Sequence, residues 1–349
     1  MSQIEEFKKV FKQIKQSWER GDQAAMLMII TVIGSAYRRP GAKMMMSMDG
    51  TMCGTLSGGC LEGDLFGWAE KAIQEQVPLT VKYDLTENEL WGLGIGCKGA
   101  QEILIVPVDP ANSFWSQIDY WIHQEARITY ILECTGETRA AFVGEDTEFG
   151  DTASLPTAVR KQAILHAGSR TRAEVMHVEG RRFVIDTVRP SERLIVTGAG
   201  HDAVPVVDLA SKAGFAVTVL DPRESFNNIN RFPSAQHVVM EPDAADPSMF
   251  PDGWWVIMNH HLNRDEASLR LALHSRPKFV GVLGPLSRTE QMLVNIGLPM
   301  SEAPIYSPVG LDLGAETIDE VAVSIVSQLM SLRNNRNAAP LHGRAKIHA

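Results

Sequence analysis

One glycine-rich turn, taken together with the residues on either side of it, constrains the fold of this chain more than any other feature. Gly198-Ala199-Gly200-His201-Asp202-Ala203 follows a hydrophobic strand pattern and opens a helical one. A dinucleotide fingerprint occurs in this strand–turn–helix context, and Asp221, 21 positions after Gly200, stands where the fingerprint has its acidic residue. Strand and helix patterns alternate from residue 193 to residue 332, which predicts a Rossmann-like parallel sheet with helices on both faces.

The sequence alone does not decide which ligand this turn binds. Gly198 permits the tight turn, Gly200 lets the backbone approach a pyrophosphate, and Asp221 would favour NAD over NADP because its carboxylate suits a ribose hydroxyl. Asp202, however, places a carboxylate in the first helical turn, where it repels a pyrophosphate. The turn therefore predicts either a dinucleotide site or a Rossmann-like domain that binds something else.

The first half of the chain has a different pattern, in which strands and helices do not alternate regularly. Apolar residues at three- and four-residue spacing predict a helix over residues 4–18, and Asp49-Gly50 between two apolar runs predicts a β-hairpin. A helix is expected from residue 61 to residue 76, whereas the polar stretch between Gly144 and Arg181 shows little periodicity. These patterns predict an α/β protein with a mixed α+β N-terminal domain followed by a C-terminal Rossmann-like parallel sheet domain.

Proline and capping residues suggest where domains and helices begin and end. Arg189-Pro190-Ser191 is the expected linker. Two capping boxes, Ser287 with Glu290 and Thr317 with Glu320, predict the starts of the last two helices. The expected divisions are an N-terminal domain with a β-rich extension over 1–190, a Rossmann-like domain over 191–333 and a disordered tail over 334–349.

A second glycine-rich segment lies in the N-terminal half, directly before the helix expected at residue 61. Ser57-Gly58-Gly59-Cys60 would expose backbone N–H groups at a helix N-terminus, which is a ready anion site. Lys43 and either Arg38 or Arg39 would complete a phosphate pocket. The alternative is that these glycines only make turns.

Three of the four cysteines lie beside glycines. Cys60 would sit in the first turn of a helix, where the helix dipole lowers a thiol pKa, and Cys97 ends a further glycine cluster. The spacing of Cys53, Cys60 and Cys97 is poor for structural zinc, so no metal site is predicted. Cys134 has no glycine context and is assigned to packing.

Composition excludes several classes of protein. With 33 basic and 42 acidic residues, the chain has a net charge of −9, which does not suit general nucleic-acid binding or an anionic membrane surface. The longest apolar run, Ala24–Ile33, is too short to span a bilayer, and the first residues show no signal-peptide pattern. Four cysteines do not make a disulfide framework in a chain of this length. We therefore expect a cytoplasmic protein with reduced thiols.

Long stretches in both halves of the chain together resemble the XdhC/CoxI family. They occur in the expected order and cover nearly the whole chain. The segments that carry the resemblance are Gly34-Ser35-Ala36-Tyr37-Arg38-Arg39-Pro40-Gly41-Ala42-Lys43, Gly54-Thr55-Leu56-Ser57-Gly58-Gly59-Cys60-Leu61-Glu62, Gly94-Ile95-Gly96-Cys97, Gly198-Ala199-Gly200-His201-Asp202-Ala203-Val204-Pro205, Asp221-Pro222-Arg223 and Ser307-Pro308-Val309-Gly310-Leu311-Asp312-Leu313-Gly314-Ala315-Glu316-Thr317.

The resemblance implies an accessory protein for molybdenum hydroxylases such as xanthine dehydrogenase. Such a protein binds molybdenum cofactor, protects it while a cysteine desulfurase replaces an oxo ligand by sulfido, and delivers it to the apoenzyme, often as a homodimer. It implies Cys60 and Cys97 as catalytic candidates near the molybdenum. The remaining candidates bind the cofactor: Arg38, Arg39, Lys43, Ser57, Gly58 and Gly59 around the phosphate, and Gly198, Gly200, His201, Asp221 and Arg223 in the crevice of the second domain.

Two other functions remain as alternatives to this maturation chaperone. One is an NAD(P)-dependent oxidoreductase that uses Gly198, Gly200 and Asp221, with His260 after the strand at 254–258 as acid or base. The other is an interaction protein whose glycine loops dock a partner. A chaperone is expected to carry pterin, a dehydrogenase to bind NADH, and a docking protein to do neither.

Overall fold

The structure is a computed structural model, and it describes residues 3–34, 36–84, 99–144, 146–169, 172–298 and 304–343. The chain divides into two compact units, with the boundary between Pro190 and Ser191. Residues 3–190 form the first unit and residues 191–343 the second. Residues 334–343 contain no helix or strand, and 344–349 lie outside the described residues.

Within its described residues, the first unit contains two antiparallel sheets of five strands each. The strands of sheet one are β1 (Ala24–Gly34), β2 (Lys43–Ser47), β3 (Met52–Gly54), β4 (Leu79–Asp84) and β5 (Gly99–Val108), in the order β3-β2-β1-β5-β4. Those of sheet two are β6 (Ile128–Glu133), β7 (Arg139–Val143), β8 (Thr147–Gly150), β9 (Glu174–Val178) and β10 (Arg181–Val188), in the order β8-β7-β6-β10-β9. The helices are α1 (Gln3–Glu19), α2 (Glu62–Glu75), α3 (Ser113–His123) and α4 (Thr157–Gly168), with a 3-10 turn at Thr152–Ser154.

Strand β1 is apolar on both faces because helices cover both sides of its sheet. Met26 and Met28 pack with α1, α3 and the inner face of the second sheet. Leu27 and Ile29 pack with α2 on the opposite side. A strand buried on both faces has a continuous apolar sequence rather than an alternating one. The predicted hairpin at Asp49-Gly50 is confirmed, since β2 and β3 pair antiparallel on either side of it.

The polar stretch before residue 181 contains two strands and a helix that its sequence pattern does not reveal. Helix α4 buries Val159, Ala163 and His166, whereas Ile164 and Leu165 are 61% and 67% exposed. Its apolar residues therefore do not form one stripe, and the 3.6-residue period that would have predicted a helix is missing.

The second unit is a six-stranded parallel sheet with helices on both faces, which confirms the predicted fold class. Its strands are β11 (Glu192–Thr197), β12 (Phe215–Leu220), β13 (Gln236–Val238), β14 (Trp254–Ile257), β15 (Phe279–Val282) and β16 (Ile305–Tyr306), in the order β13-β12-β11-β14-β15-β16. Its helices are α5 (Ala203–Lys212), α6 (Leu262–His274), α7 (Leu286–Ile296) and α8 (Ile318–Arg333), with 3-10 turns at Pro242–Ala244 and Pro247–Met249.

The helices of this unit cover the two faces of the sheet in pairs. Val196 faces the core formed with α5 and α8, and its neighbour Ile195 faces the core formed with α6 and α7. The Thr317 capping box at the start of α8 is confirmed. The Ser287 box is wrong, because α7 begins at Leu286 after Pro285, and no side chain caps it. From β11 the strand order runs outward through β12 to β13 on one side, and from β14 it runs outward to β16 on the other. Open α/β sheets place their ligand crevice at this switch point, beside the carboxyl ends of β11 and β14.

Candidate functional site

The glycine-rich loop of the first unit, residues 55–61, is wrapped around the carboxylate of Glu62. The Thr55 hydroxyl donates to this carboxylate at 2.9 Å, and the Ser57 hydroxyl also donates to it. Backbone N–H groups donate to it at 3.0–3.2 Å from Leu56, Ser57, Gly59 and Leu61. Burial opposes ionisation of the carboxyl group, but these hydrogen bonds outweigh it and lower the pKa of Glu62 to about 2.

The donors predicted to cradle a phosphate are therefore already in use. Gly58 and Gly59 have φ of 77° and 108°, which turns the loop around the carboxylate, and the Gly58 N–H donates to the Thr55 hydroxyl at 3.1 Å. The sequence indicates an anion site at the start of α2, and an anion does lie there. That anion is the side chain of the first residue of the helix, so a phosphate would compete with Glu62 for the same N–H groups.

The three predicted cations are placed very differently. Arg38 donates to both carboxylate oxygens of Glu6, at 2.7 and 2.8 Å. Lys43 is only 5% exposed and pairs with Asp186 at 2.6 Å, so its charge is neutralised inside the unit, away from any ligand. Arg39 has no ion pair with any residue that the structure describes.

Burial and Arg172 lower the pKa of Arg39, and the Arg39 Nε atom is buried without a hydrogen-bond partner among the described residues. Arg39 is thus the predicted cation that keeps an unneutralised charge. Arg172, whose positive charge acts on Arg39, is not among the predicted site residues. It lies in the stretch between residues 144 and 181, whose pattern indicates no regular element.

The structure brings the arginine loop and the cysteine loop together. A Cβ placed on Gly58 would lie 3.6 Å from the ring of Tyr37, and the Arg38 guanidinium reaches the Thr55 carbonyl at 3.4 Å. Cys60 is exposed on the same loop, just before α2 begins. Cys97, the second predicted cysteine, lies outside the described residues.

In the second unit, Gly198 and Asp221 shape the turn that follows β11. A Cβ on Gly198 would lie 2.5 Å from the Met258 carbonyl oxygen, so only glycine fits this close approach. The Asp221 carboxylate accepts the Ala199 N–H at 2.7 Å and the Arg223 guanidinium at 2.6 and 2.9 Å. Burial opposes its ionisation, but the hydrogen bonds from Arg223 and Ala199 lower its pKa.

These contacts do not support the NAD(P) alternative. Asp221 is 1% exposed and already bonded through both oxygens, so it offers no acceptor to a ribose. A Cβ on Gly200 would lie 2.4 Å from an Asp202 oxygen, and the other Asp202 oxygen bonds His260 at 2.6 Å. A carboxylate therefore crowds the glycine that a pyrophosphate would approach. His201 stands beside Phe226 with the ring centres 6.3 Å apart.

A polar network at the ends of β11 and β14 is missing from the predicted site residues. The Asn259 amide donates to Thr197 at 3.1 Å and to Asp265 at 2.9 Å, and Arg288 also donates to Asp265. The available sequence signal was position, since Asn259 lies two residues after the buried strand β14. Over the described ranges, no group of three or more histidine, cysteine or acidic side chains could hold a metal, and no helix could cross a membrane.

Comparison with known proteins gives consistent matches over both units. The family model of the XdhC Rossmann domain matches residues 194–329, and that of the XdhC and CoxI family matches residues 17–84. A protein from Bacillus subtilis (strain 168), named as a probable xanthine dehydrogenase subunit, is 29% identical over 90% of this chain and 94% of its own length. The molybdenum cofactor insertion chaperone PaoD of Escherichia coli (strain K12) is 22% identical over 90% of this chain and 84% of its own.

A solved structure agrees in fold over almost the whole length. It is described as a xanthine dehydrogenase from Bacillus halodurans and is 32% identical, with a TM-score of 0.77 over 97% of this chain and 98% of that one. The two family models fall on either side of the boundary at Pro190, one in each unit. The chain belongs to the XdhC and CoxI family.

Proposed function

We propose that this protein binds molybdenum cofactor as cargo, supports its sulfuration and delivers it to a molybdenum hydroxylase of the xanthine dehydrogenase type. One relative is named as a molybdenum cofactor insertion chaperone and another as a probable subunit of xanthine dehydrogenase. The observation that carries the proposal is the exposed thiol of Cys60, on a loop that contacts Tyr37 and Arg38.

Cys60 contacts the metal end of the cofactor in this proposal. Thiolates are soft ligands, and an exposed thiol is accessible to a bulky cargo. Cys97 is proposed for the same end. Arg39 takes the phosphate, since Arg38 and Lys43 already neutralise carboxylates of this chain. Ser57, Gly58 and Gly59 shape the loop that presents Cys60, and they contact phosphate only when Glu62 leaves.

The turn of the second unit suits a pterin better than a pyrophosphate. Asp202 and His260 offer an acceptor-rich pair at the crevice end of the sheet, and a pterin edge carries N–H donors rather than negative charge. This turn is proposed as an alternative pterin contact to the Cys60 loop, in which Gly198, Asp221 and Arg223 fix the turn and Asp202 meets the ligand beside Gly200 and His201.

The sulfur donor is proposed to be a cysteine desulfurase, acting in the cytoplasm on a homodimer of this chain. Reduced thiols are required for such a role, and Cys53, Cys60 and Cys134 are free thiols in the part of the chain that is described. Cys134 is buried, and burial raises its pKa to about 11, so it is not proposed as a sulfur carrier.

The test is an anaerobic titration of the full-length protein with molybdenum cofactor, in which retained cofactor is measured as pterin fluorescence after oxidation. Cys60→Ser is expected to weaken retention about tenfold or more, and Arg39→Gln by a similar factor. Cys53→Ser is the matched control, since that thiol is partly buried on β3 and belongs to no proposed contact.

Two results would contradict the proposal. One is equal retention by wild type and Cys60→Ser together with equal activation of the apo-hydroxylase. The other is NADH binding without cofactor binding, which would return the oxidoreductase to first place. A cofactor complex that NADH does not displace supports the proposed cargo.

A further inference from the structure

The first unit contains a cavity that shares no residue with the loops discussed above. Its volume is about 200 Å³, and its walls come from the end of β5, the start of α3 and the start of β7. The residues that matter for its chemistry are Trp115, Arg139, Asp109, Glu137 and Asn112. Pockets for drug-sized ligands occupy roughly 300–1,000 Å³, so this cavity suits a molecule of only a few heavy atoms.

Arg139 supplies the hydrogen-bond donors of the cavity wall, and the ring of Trp115 lies beside its guanidinium. The Arg139 guanidinium stands 5.8 Å from the Trp115 ring, and its one side-chain hydrogen bond in the described structure is a long one of 3.5 Å to the Glu137 carbonyl. A buried donor without a partner destabilises a fold unless a ligand or water supplies an acceptor.

Burial destabilises the charged form of Arg139, and no carboxylate forms a direct ion pair with it in the described structure. Burial lowers its pKa, and the attraction of Glu137, Asp151 and Asp109 only partly offsets this. None of these carboxylates lies within ion-pair distance of its guanidinium in the described structure. The Arg139 side chain is therefore held partly dehydrated with its N–H groups available.

The rim of the cavity carries the opposite charge. One oxygen of Asp109 accepts the Ala111 N–H at 2.9 Å, which leaves the other oxygen available, and the Glu137 carboxylate makes no hydrogen bond to any described residue. With Arg139 these groups sum to a charge of −1, so a simple anion is repelled. A lone cation would leave the N–H groups of Arg139 without an acceptor from the ligand.

A molecule with a carboxylate beside an ammonium group satisfies both halves of this cavity. Its carboxylate would accept from Arg139, and its ammonium group would donate to Asp109 and Glu137. We propose that this cavity is a binding site for a small zwitterion of the free α-amino acid class. The site is independent of the molybdenum cofactor proposal, since it uses none of the same residues.

The test is calorimetric titration of the full-length protein with glycine, L-alanine, L-serine and L-aspartate. Two analogues separate the charges of alanine: propionate keeps the carboxylate alone, and ethylamine keeps the amine alone. At least one of the smaller amino acids is expected to bind, and its binding should be about tenfold tighter than that of either analogue. Propionate binding as tightly as alanine would overturn the zwitterion assignment. Failure of all four amino acids to bind with a Kd below about 10 mM would overturn the site itself.

Substitutions of cavity residues test whether amino acid binding takes place in this cavity. Arg139→Gln is expected to weaken amino acid binding about tenfold, and Glu137→Gln about threefold because that carboxylate is exposed at the rim. Arg160→Gln is the matched control, since Arg160 lies in the same unit but pairs with Glu148 on the surface. Unchanged binding in both Arg139→Gln and Glu137→Gln, with unchanged unfolding transitions, would overturn the proposal.

Discussion

The glycine-rich loops of the two units, 55–61 and 198–202, both enclose carboxylates of the chain itself, but they hold them differently. Glu62 is held by backbone N–H groups and hydroxyls alone, with no cation within ion-pair distance among the described residues. Asp221 is held by two backbone N–H groups, those of Ala199 and Arg223, and by the Arg223 guanidinium, and it is almost fully buried. The first arrangement resembles an anion nest with a removable occupant, and the second a permanent structural ion pair.

This difference has a functional meaning. Neutral donors at a helix N-terminus bind a phosphate as readily as a carboxylate, so a ligand anion can replace Glu62 without leaving a cation unpaired. Displacing Asp221 would leave the Arg223 charge without its partner and the Ala199 N–H without an acceptor. An exchangeable anion site is therefore expected in the first unit and not in the second.

The largest expected effect comes from the same substitution made in each loop. Gly198 and Gly59 have φ of 100° and 108°, so alanine is strained equally at both. A Cβ at Gly198 would meet the Met258 backbone at 2.5 Å, whereas a Cβ at Gly59 meets nothing within 4 Å. Gly198→Ala should lower the free energy of unfolding by about 4 kcal/mol and Gly59→Ala by about 1 kcal/mol, as measured by urea unfolding. Equal losses would show that the close approach at Gly198 adds nothing to the φ strain.

The next effect tests which carboxylate an added anion can replace. Asp221→Ala breaks a buried pair and should cost about 3 kcal/mol, and Glu62→Ala should cost about 2 kcal/mol because several N–H groups lose their acceptor. Phosphate at about five times its Kd should raise the free energy of unfolding of Glu62→Ala by about 1 kcal/mol, because the N–H groups that held the Glu62 carboxylate can bind phosphate instead.

Phosphate should not change the free energy of unfolding of Asp221→Ala, because the Arg223 guanidinium is fixed 4.4 Å from the centre of the Phe226 ring. Urea unfolding with and without phosphate, at constant ionic strength, measures both responses. The exposed pair of Asp208 with Lys212 gives a control, and Asp208→Ala should cost less than about 0.5 kcal/mol. Rescue of Asp221→Ala by phosphate would reverse the assignment of exchangeable and permanent sites.

The sequence predicts the positions of these loops but not their occupants. Gly58, Gly59 and Gly198 mark turns because a left-handed φ limits the choice of residue, and that is a local property. The occupant depends on where a side chain folds back in space. Glu62 is visible in the sequence as a charge in the first helical turn, but its return over the loop depends on the geometry of seven consecutive residues.

The same distinction between local and distant determinants applies to the fold. The capping box of Thr317 with Glu320 is set within four residues and is predicted correctly, as is the alternation of strands and helices in the second unit. Helix α4 has no single apolar stripe, so its formation depends on packing against β6 and β10, which are distant in sequence. Lys43 shows the limit for the site: its burial against Asp186, 143 residues away, follows from no motif.

The smallest expected effect is the pH dependence that Glu62 gives to the loop of the first unit. The pKa of Glu62 is about 2, below its ordinary value of 4.5, so its ionisation stabilises the fold above pH 4.5, and this stabilisation is lost as the pH falls toward 2. Because the carboxylate is partly solvated, the contribution is about 1 kcal/mol rather than the full value of the pKa shift. The difference in unfolding free energy between wild type and Glu62→Gln should therefore be constant from pH 7 to pH 5 and shrink below pH 4.5. A difference that stays constant down to pH 3 would mean that the pKa of Glu62 is not lowered in the folded protein, and that its charge plays no part in holding it in the loop.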